Sequence, residues 1–178
     1  MTLLEVVLVL GILTVAFGMF STTMMANNRT RVINRDTAIS AEAARAVFET
    51  MHNVEFGEVF ARYNSDPADD PDGPGTAPGS GFSVPGLDPL PGDADGFVGH
   101  VVLPESEALP VWQLREDFAD ANLGLPRDLN GDSIVDDQDH ALDYLILPVR
   151  IEIEWQGRFG PRRMTASTML TDIRKAGE

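Results

Sequence analysis

Residues 128–139 carry a dense set of potential ligand oxygens: Asp128-Leu129-Asn130-Gly131-Asp132-Ser133-Ile134-Val135-Asp136-Asp137-Gln138-Asp139. Oxygen-bearing side chains stand at positions 1, 3, 5, 9 and 12 of this stretch, a spacing that wraps ligands around one hard cation. Asp128, Asn130 and Asp132 would coordinate directly, and Ile134 would present its backbone carbonyl at position 7. Asp136 would act directly or through water, and Asp139 would close the shell. This all-oxygen set suits Ca2+, whereas zinc prefers nitrogen or sulfur. Gathering these aspartates is repulsive until a divalent cation neutralises them, which couples metal binding to local folding. The alternative reading of the same residues is an Asp/Asn-rich turn that caps a helix and holds no ion.

The stretch is similar to an EF-hand loop. Its aspartate at position 12, and the His140-Ala141-Leu142-Asp143-Tyr144-Leu145 that follows, resemble more closely the calcium loop and succeeding helix of dockerins. The resemblance covers residues 128–145 and implies one Ca2+ site. Dockerins carry two such repeats, so the single copy here argues against cohesin binding. Ser133 departs from the pattern, because position 6 has glycine to reach a positive φ; serine there costs about 1 kcal/mol.

Other chemistry is thin. Cysteine is absent, which removes disulfides, Cys-based zinc sites, iron–sulfur clusters and thiol nucleophiles. His52, His100 and His140 are widely separated, with no two-histidine metal spacing, no Ser-His-Asp motif and no phosphate-binding glycine loop. Gly79-Ser80-Gly81 lacks the frame of a nucleophile elbow. The histidines read as structural and the chain as a non-enzyme. Asp66, Asp69, Asp70 and Asp72 read as a solvated face. The net charge of −15, from 28 acidic and 13 basic residues, repels phosphate backbones and leaves no nucleic-acid partner.

A single acid stands in the N-terminal apolar run. From Leu3 to Phe20 the sequence LLEVVLVLGILTVAFGMF is broken only by Glu5 and Thr14, and it meets the length criterion for a membrane-spanning helix. Residues 1–25 would extend roughly 37 Å at 1.5 Å per residue, enough to cross a hydrocarbon core of about 30 Å. A carboxylate there costs on the order of 2.5–3.5 kcal/mol unless it is paired or lies at the interface.

Met1-Thr2-Leu3-Leu4-Glu5-Val6-Val7-Leu8-Val9-Leu10 closely resembles the mature N-terminus of type IV pilins and type II secretion pseudopilins. The resemblance covers about the first 25 residues. It implies a basic leader removed by prepilin peptidase, Met1 as the N-methylated processed end, and a helical filament of like subunits. Glu5 of one subunit would neutralise the terminal amine of a neighbour, and such a buried pair is tolerable where a lone charge is not. The chain would begin in the inner membrane as a single-pass precursor, reached by the assembly machinery there. It would end in an extracellular pilus or a periplasmic pseudopilus. Two positions depart from the family pattern: Thr22 stands where many pilins have proline, and Arg29, Arg31 and Arg35 follow the span directly. Arginines so placed favour the cytoplasmic side unless a basic leader outweighs them.

The elements that must position these residues follow from periodicity. Residues 26–62 contain no proline, and Ala44, Val47, Phe48, Met51 and Val54 recur at helical steps, predicting a stem helix to about Arg62. Seven prolines among residues 64–99 predict a long irregular loop. Leu147 to Trp155 alternates, with Val149, Ile151, Ile153 and Trp155 on one face. Gln156–Pro161 turns the chain, and Arg163–Thr171 returns with Met164, Ala166, Thr168 and Leu170 on one face. Phe97–Leu103 is a candidate third strand. The predicted fold is α+β: a long N-terminal helix on a small antiparallel sheet, with residues 63–178 as the head.

Two functions fit this reading. One is a structural filament subunit with a calcium-stabilised head. The other is a single-pass, membrane-anchored calcium-binding module that recognises a ligand through residues 64–99 and does not polymerise.

Overall fold

A computed structural model describes residues 2–108 and 111–172. The chain divides into two compact units, residues 1–38 and residues 39–178. Helix α1 runs Leu3–Asn53, followed by a short 3-10 turn at Phe56–Glu58 and helix α2 at Val59–Tyr63. Six strands complete the order: β1 Gly81–Phe82, β2 Gly99–Val102, β3 Glu105–Ala108, β4 Val111–Leu114, β5 Ile146–Gly157 and β6 Gly160–Thr171. The α+β class predicted above is the class observed.

In the first unit the apolar residues from Leu3 to Met25 are exposed, Leu3 at 86% and Phe17 at 73%. Three of its threonines bond back to the helix: Thr14 Oγ1 donates to the Leu10 carbonyl at 2.7 Å, and Thr22 and Thr23 to that of Met19 at 2.9 Å each. Back-bonding of this kind makes a threonine tolerable on an apolar helix.

The second unit is built on an antiparallel sheet in the order β1-β2-β5-β6. The β5–β6 hairpin is its spine, in register from Ile146 against Thr171 to Gly157 against Gly160. Leu147, Val149, Ile151, Ile153 and Trp155 are buried, as strand alternation against a dry face requires. Ala44, Val47 and Phe48, from the part of α1 that belongs to this unit, pack with Ile151, Ile153 and Trp155. Met51, Phe60 and Tyr63 join Val101, Leu147 and Val149 in the neighbouring cluster. At the β1–β2 edge two glycines accept aromatic cover. A Cβ on Gly81 would lie 2.5 Å from the Phe97 ring, and one on Gly99 would lie 2.3 Å from that of Phe82.

Three differences from the sequence expectation are physical. The stem helix expected to reach Arg62 stops at Asn53, because Glu55 turns extended at φ −60°, ψ 129°. The Tyr144 hydroxyl then donates to the Phe56 carbonyl, holding the break from outside. A second sheet, β3 paired with β4, interrupts the segment between β2 and β5; the ESEA sequence of β3 has no apolar alternation to announce it. The helix expected after the Asp-rich loop is a single turn, in which Asp143 and Tyr144 donate their N–H groups to the His140 carbonyl.

The 64–99 segment is irregular, as predicted, apart from β1 and the first residue of β2, Gly99. Its aspartates organise the loop. Asn64 Nδ2 donates to Asp69 at 2.8 Å, Asp70 accepts the Ala77 N–H at 3.1 Å, and Asp72 pairs with Arg62 at 2.9 Å.

Candidate functional site

Strand β4 carries the chain into the interior, where Leu114 and then Glu116 are completely buried. A carboxyl group in such a place needs hydrogen-bond donors. Glu116 Oε1 accepts the backbone N–H of Leu129 at 2.5 Å and that of Asn130 at 3.1 Å. Its other oxygen, Oε2, is buried and accepts no hydrogen bond among the described residues. Facing it at 3.8 Å is Nε2 of His140, a side chain only 6% exposed.

His140 is held on both sides. Nε2 lies 3.1 Å from Asp136 Oδ1, and Nδ1 lies 3.1 Å from Asp143 Oδ1. Burial pulls its pKa down, but bonding to Asp136 and Asp143, with the Glu116 charge, outweighs burial and raises it above the ordinary histidine value. Asp136 is held below the usual carboxylate range, first by the Gln138 backbone N–H and then by His140. One ligand atom from each of Glu116, Asp136 and His140 lies within 4.8 Å of the others. The three form a buried group that could hold a metal ion.

The Asp-rich loop begins where Glu116 grips it. Asp128 folds both oxygens over the chain that follows, accepting from Gly131 N at 2.6 Å and Ser133 N at 2.7 Å. Asn130 Oδ1 accepts from Asp132 N at 3.0 Å, and Asp132 Oδ1 from Ile134 N at 2.7 Å. Ser133 has φ +70°, the left-handed conformation for which glycine is the ordinary choice at this position. The base of the loop is tied by the Leu129 carbonyl, which accepts from Leu145 and Ile146 at 2.7 and 3.0 Å.

The structure therefore strings Asp128, Asn130, Asp132 and Ile134 along one curled segment through their own hydrogen bonds. Asp136 is drawn to His140. Asp139 Oδ1 accepts from Leu114 N at 3.0 Å and Ala141 N at 3.1 Å, so this carboxyl ties the loop's end to β4.

Glu5 lies in the exposed apolar unit, within the first turn of α1. Met1, named above as its partner from a neighbouring copy, lies outside the described residues. Helix α1 is long and apolar enough to cross a membrane, with a mean hydropathy of 2.5 over its most apolar 18 residues, none of them buried.

Comparison with protein-family models, with curated proteins and with solved structures finds no match to this chain. Its function must be argued from its own residues.

Glu116 and His140 were not singled out as ligands by the sequence reading. Glu116 precedes the Asp-rich loop and belongs to no spaced motif. His140 directly follows Asp139, and its separation from the other histidines read as structural. The legible signal was Asp136-x-x-x-His140-x-x-Asp143, a spacing that becomes informative only once a turn folds these side chains together.

Proposed function

We propose that this chain is a structural subunit of a filament of the type IV pilin or type II secretion pseudopilin kind, with a role in assembly and not in catalysis. The observation that carries the proposal is the exposed apolar segment of α1, from Leu3 to Met25, containing one acid at Glu5. Apolar surface this extensive is not left in water. A bilayer accepts it in the precursor, and packed neighbouring helices accept it after assembly. Glu5 is costly in either setting without a cationic partner, and the terminal amine of an adjoining copy supplies one. The inner-membrane precursor, its processing by prepilin peptidase and its transfer to a pilus or periplasmic pseudopilus belong to this same reading.

In the head, one Ca2+ bound by Asp128, Asn130, Asp132, the Ile134 carbonyl, Asp136 and Asp139 would lock the loop against β4. Asp139 would offer the ion its Oδ2 while Oδ1 keeps the N–H groups of Leu114 and Ala141, and Asp136 would act through water while keeping its bond to His140. The curled backbone at Ser133 and the inward Asp128 support this site.

Glu5→Ala and Glu5→Lys test the assembly reading in cells expressing the processing and assembly machinery. Both variants should insert into the membrane as the parent does, yet yield no sheared filaments and no cross-linked subunit ladder. Filaments formed equally well by Glu5→Ala would overturn the reading. Full-length protein that stays monomeric after detergent removal would point instead to an anchored calcium-binding module.

A further inference from the structure

We propose that Glu116, Asp136 and His140 form a second cation site, selective for a divalent d-block ion of the zinc class, beside the calcium loop and independent of filament assembly. Three observations on different atoms converge on it.

The first is the orphaned oxygen. Glu116 is completely buried, and its Oε2 accepts no hydrogen bond among the described residues. A buried carboxyl oxygen left in this state is a recognised sign of an ion or water that belongs beside it. The donors nearby, the Leu129 and Asn130 N–H groups, are both spent on Oε1.

The second is the nitrogen. His140 Nε2 points at Glu116 Oε2, 3.8 Å away, and at Asp136 Oδ1, 3.1 Å away. Calcium and magnesium are held by oxygen, whereas an imidazole with carboxylates is a donor set for zinc and its neighbours. Ligands of a tetrahedral zinc at about 2.0–2.1 Å lie roughly 3.3 Å apart. The two separations from His140 bracket that value, and all three ligand atoms lie within 4.8 Å of one another, so side-chain adjustments complete three corners, with water as the fourth ligand.

The third is the support behind the ring. His140 Nδ1 lies 3.1 Å from Asp143 Oδ1. Donation of Nδ1–H to a carboxylate is the outer-shell arrangement that fixes a metal-binding histidine's tautomer and directs the Nε2 lone pair at the ion. Access is from the Asp136 side, the only one of the three ligands with appreciable exposure, at 24% of its side chain. Asp136 also occupies position 9 of the Asp-rich loop, where calcium is commonly coordinated through water, so the two sites can be filled together.

The test uses the full-length chain in detergent, stripped of metal and then supplied with excess Ca2+. Zn2+ is titrated by calorimetry, and Co2+ is followed by visible absorption. One equivalent of Zn2+ should bind, and Co2+ should give the intense bands of a tetrahedral centre. His140→Gln and Glu116→Gln should each weaken Zn2+ binding at least roughly tenfold, and Asp143→Asn, which leaves the three ligands in place, about tenfold. Should the variants fail to fold, ring nitrogen resonances of the parent protein decide: Zn2+ should move the Nε2 signal of His140 and leave His52 and His100 in place. Absence of Zn2+ binding, binding unchanged in a folded His140→Gln protein, or shifts confined to His52 and His100 would overturn the proposal.

Discussion

Glu116 and Leu129 are both completely buried, and the Leu129 backbone N–H donates to Glu116 Oε1 at 2.5 Å. This bond fastens the first residues of the Asp-rich loop to the chain leaving β4, and the Asn130 N–H reinforces it at 3.1 Å. Everything proposed for the loop depends on that anchor.

Glu116→Ala removes the acceptor and leaves two N–H groups facing a cavity. The head should lose about 3 kcal/mol. Glu116→Gln keeps an oxygen for the same donors and should cost less than half as much. Urea unfolding of the full-length protein in detergent measures both.

Ser133 holds φ +70°, a conformation that costs a residue with a Cβ roughly 1–2 kcal/mol. Ser133→Gly should relieve that strain and tighten Ca2+ binding several-fold, read by calorimetry. Ser133→Val should weaken it, because a β-branched side chain is a poorer fit still to the left-handed region.

Arg150 joins β5 to the chain ahead of the Asp-rich loop: its Nη1 donates to Asp120 Oδ2 at 2.6 Å, with both side chains largely buried. Burial pushes the Asp120 carboxyl up, but the Arg150 bond and the N–H groups of Asn122 and Leu123 outweigh it and hold it below the usual range. A carboxyl depressed in the folded state adds stability above its unfolded pKa, about 3.9, and loses it as pH falls through the folded value. The unfolding midpoint should therefore drop below about pH 4. Asp120→Asn should flatten that decline, and Arg150→Met should cost roughly 2 kcal/mol at neutral pH.

The alkaline limit belongs to Tyr144. Its hydroxyl donates to the Phe56 carbonyl and accepts the Phe60 N–H at 3.3 Å, while its ring stands 4.8 Å from that of Phe56. Burial is the main cause of a pKa pushed up to about 12. A raised folded value means stability that is complete below the unfolded tyrosine pKa of about 10 and declines as pH climbs through about 12. Absorbance of tyrosinate during an alkaline titration should lag well behind that of the unfolded chain. Tyr144→Phe should cost about 1 kcal/mol at pH 7 and lessen the alkaline loss.

The membrane-length apolar helix, the α+β class and the β5–β6 hairpin were legible in the residues themselves. Val149, Ile151, Ile153 and Trp155 alternate because one strand face must be dry, and all four are buried. Ala44 and Met51 fall at helical spacing because one helix face meets the sheet, and both are buried as well. Such patterns are local: a repeat of two or of 3.6 residues reports which face an element turns inward, whatever it packs against.

The metal-capable group was not local in that sense. Glu116 reaches the Leu129 N–H across 13 residues of chain, and Tyr144 reaches Phe56 across 88. The break after Asn53 is likewise held by a partner far away in sequence, Tyr144, whereas β3 and β4 pair locally, from Glu105 against Leu114 to Ala108 against Val111. The sequence alone determined which segments have a dry face and which loop is rich in side-chain oxygens, because those depend on spacing along one segment. Only the tertiary structure decided that His140 stands between Asp136, Asp143 and Glu116, because that placement depends on where the chain path returns.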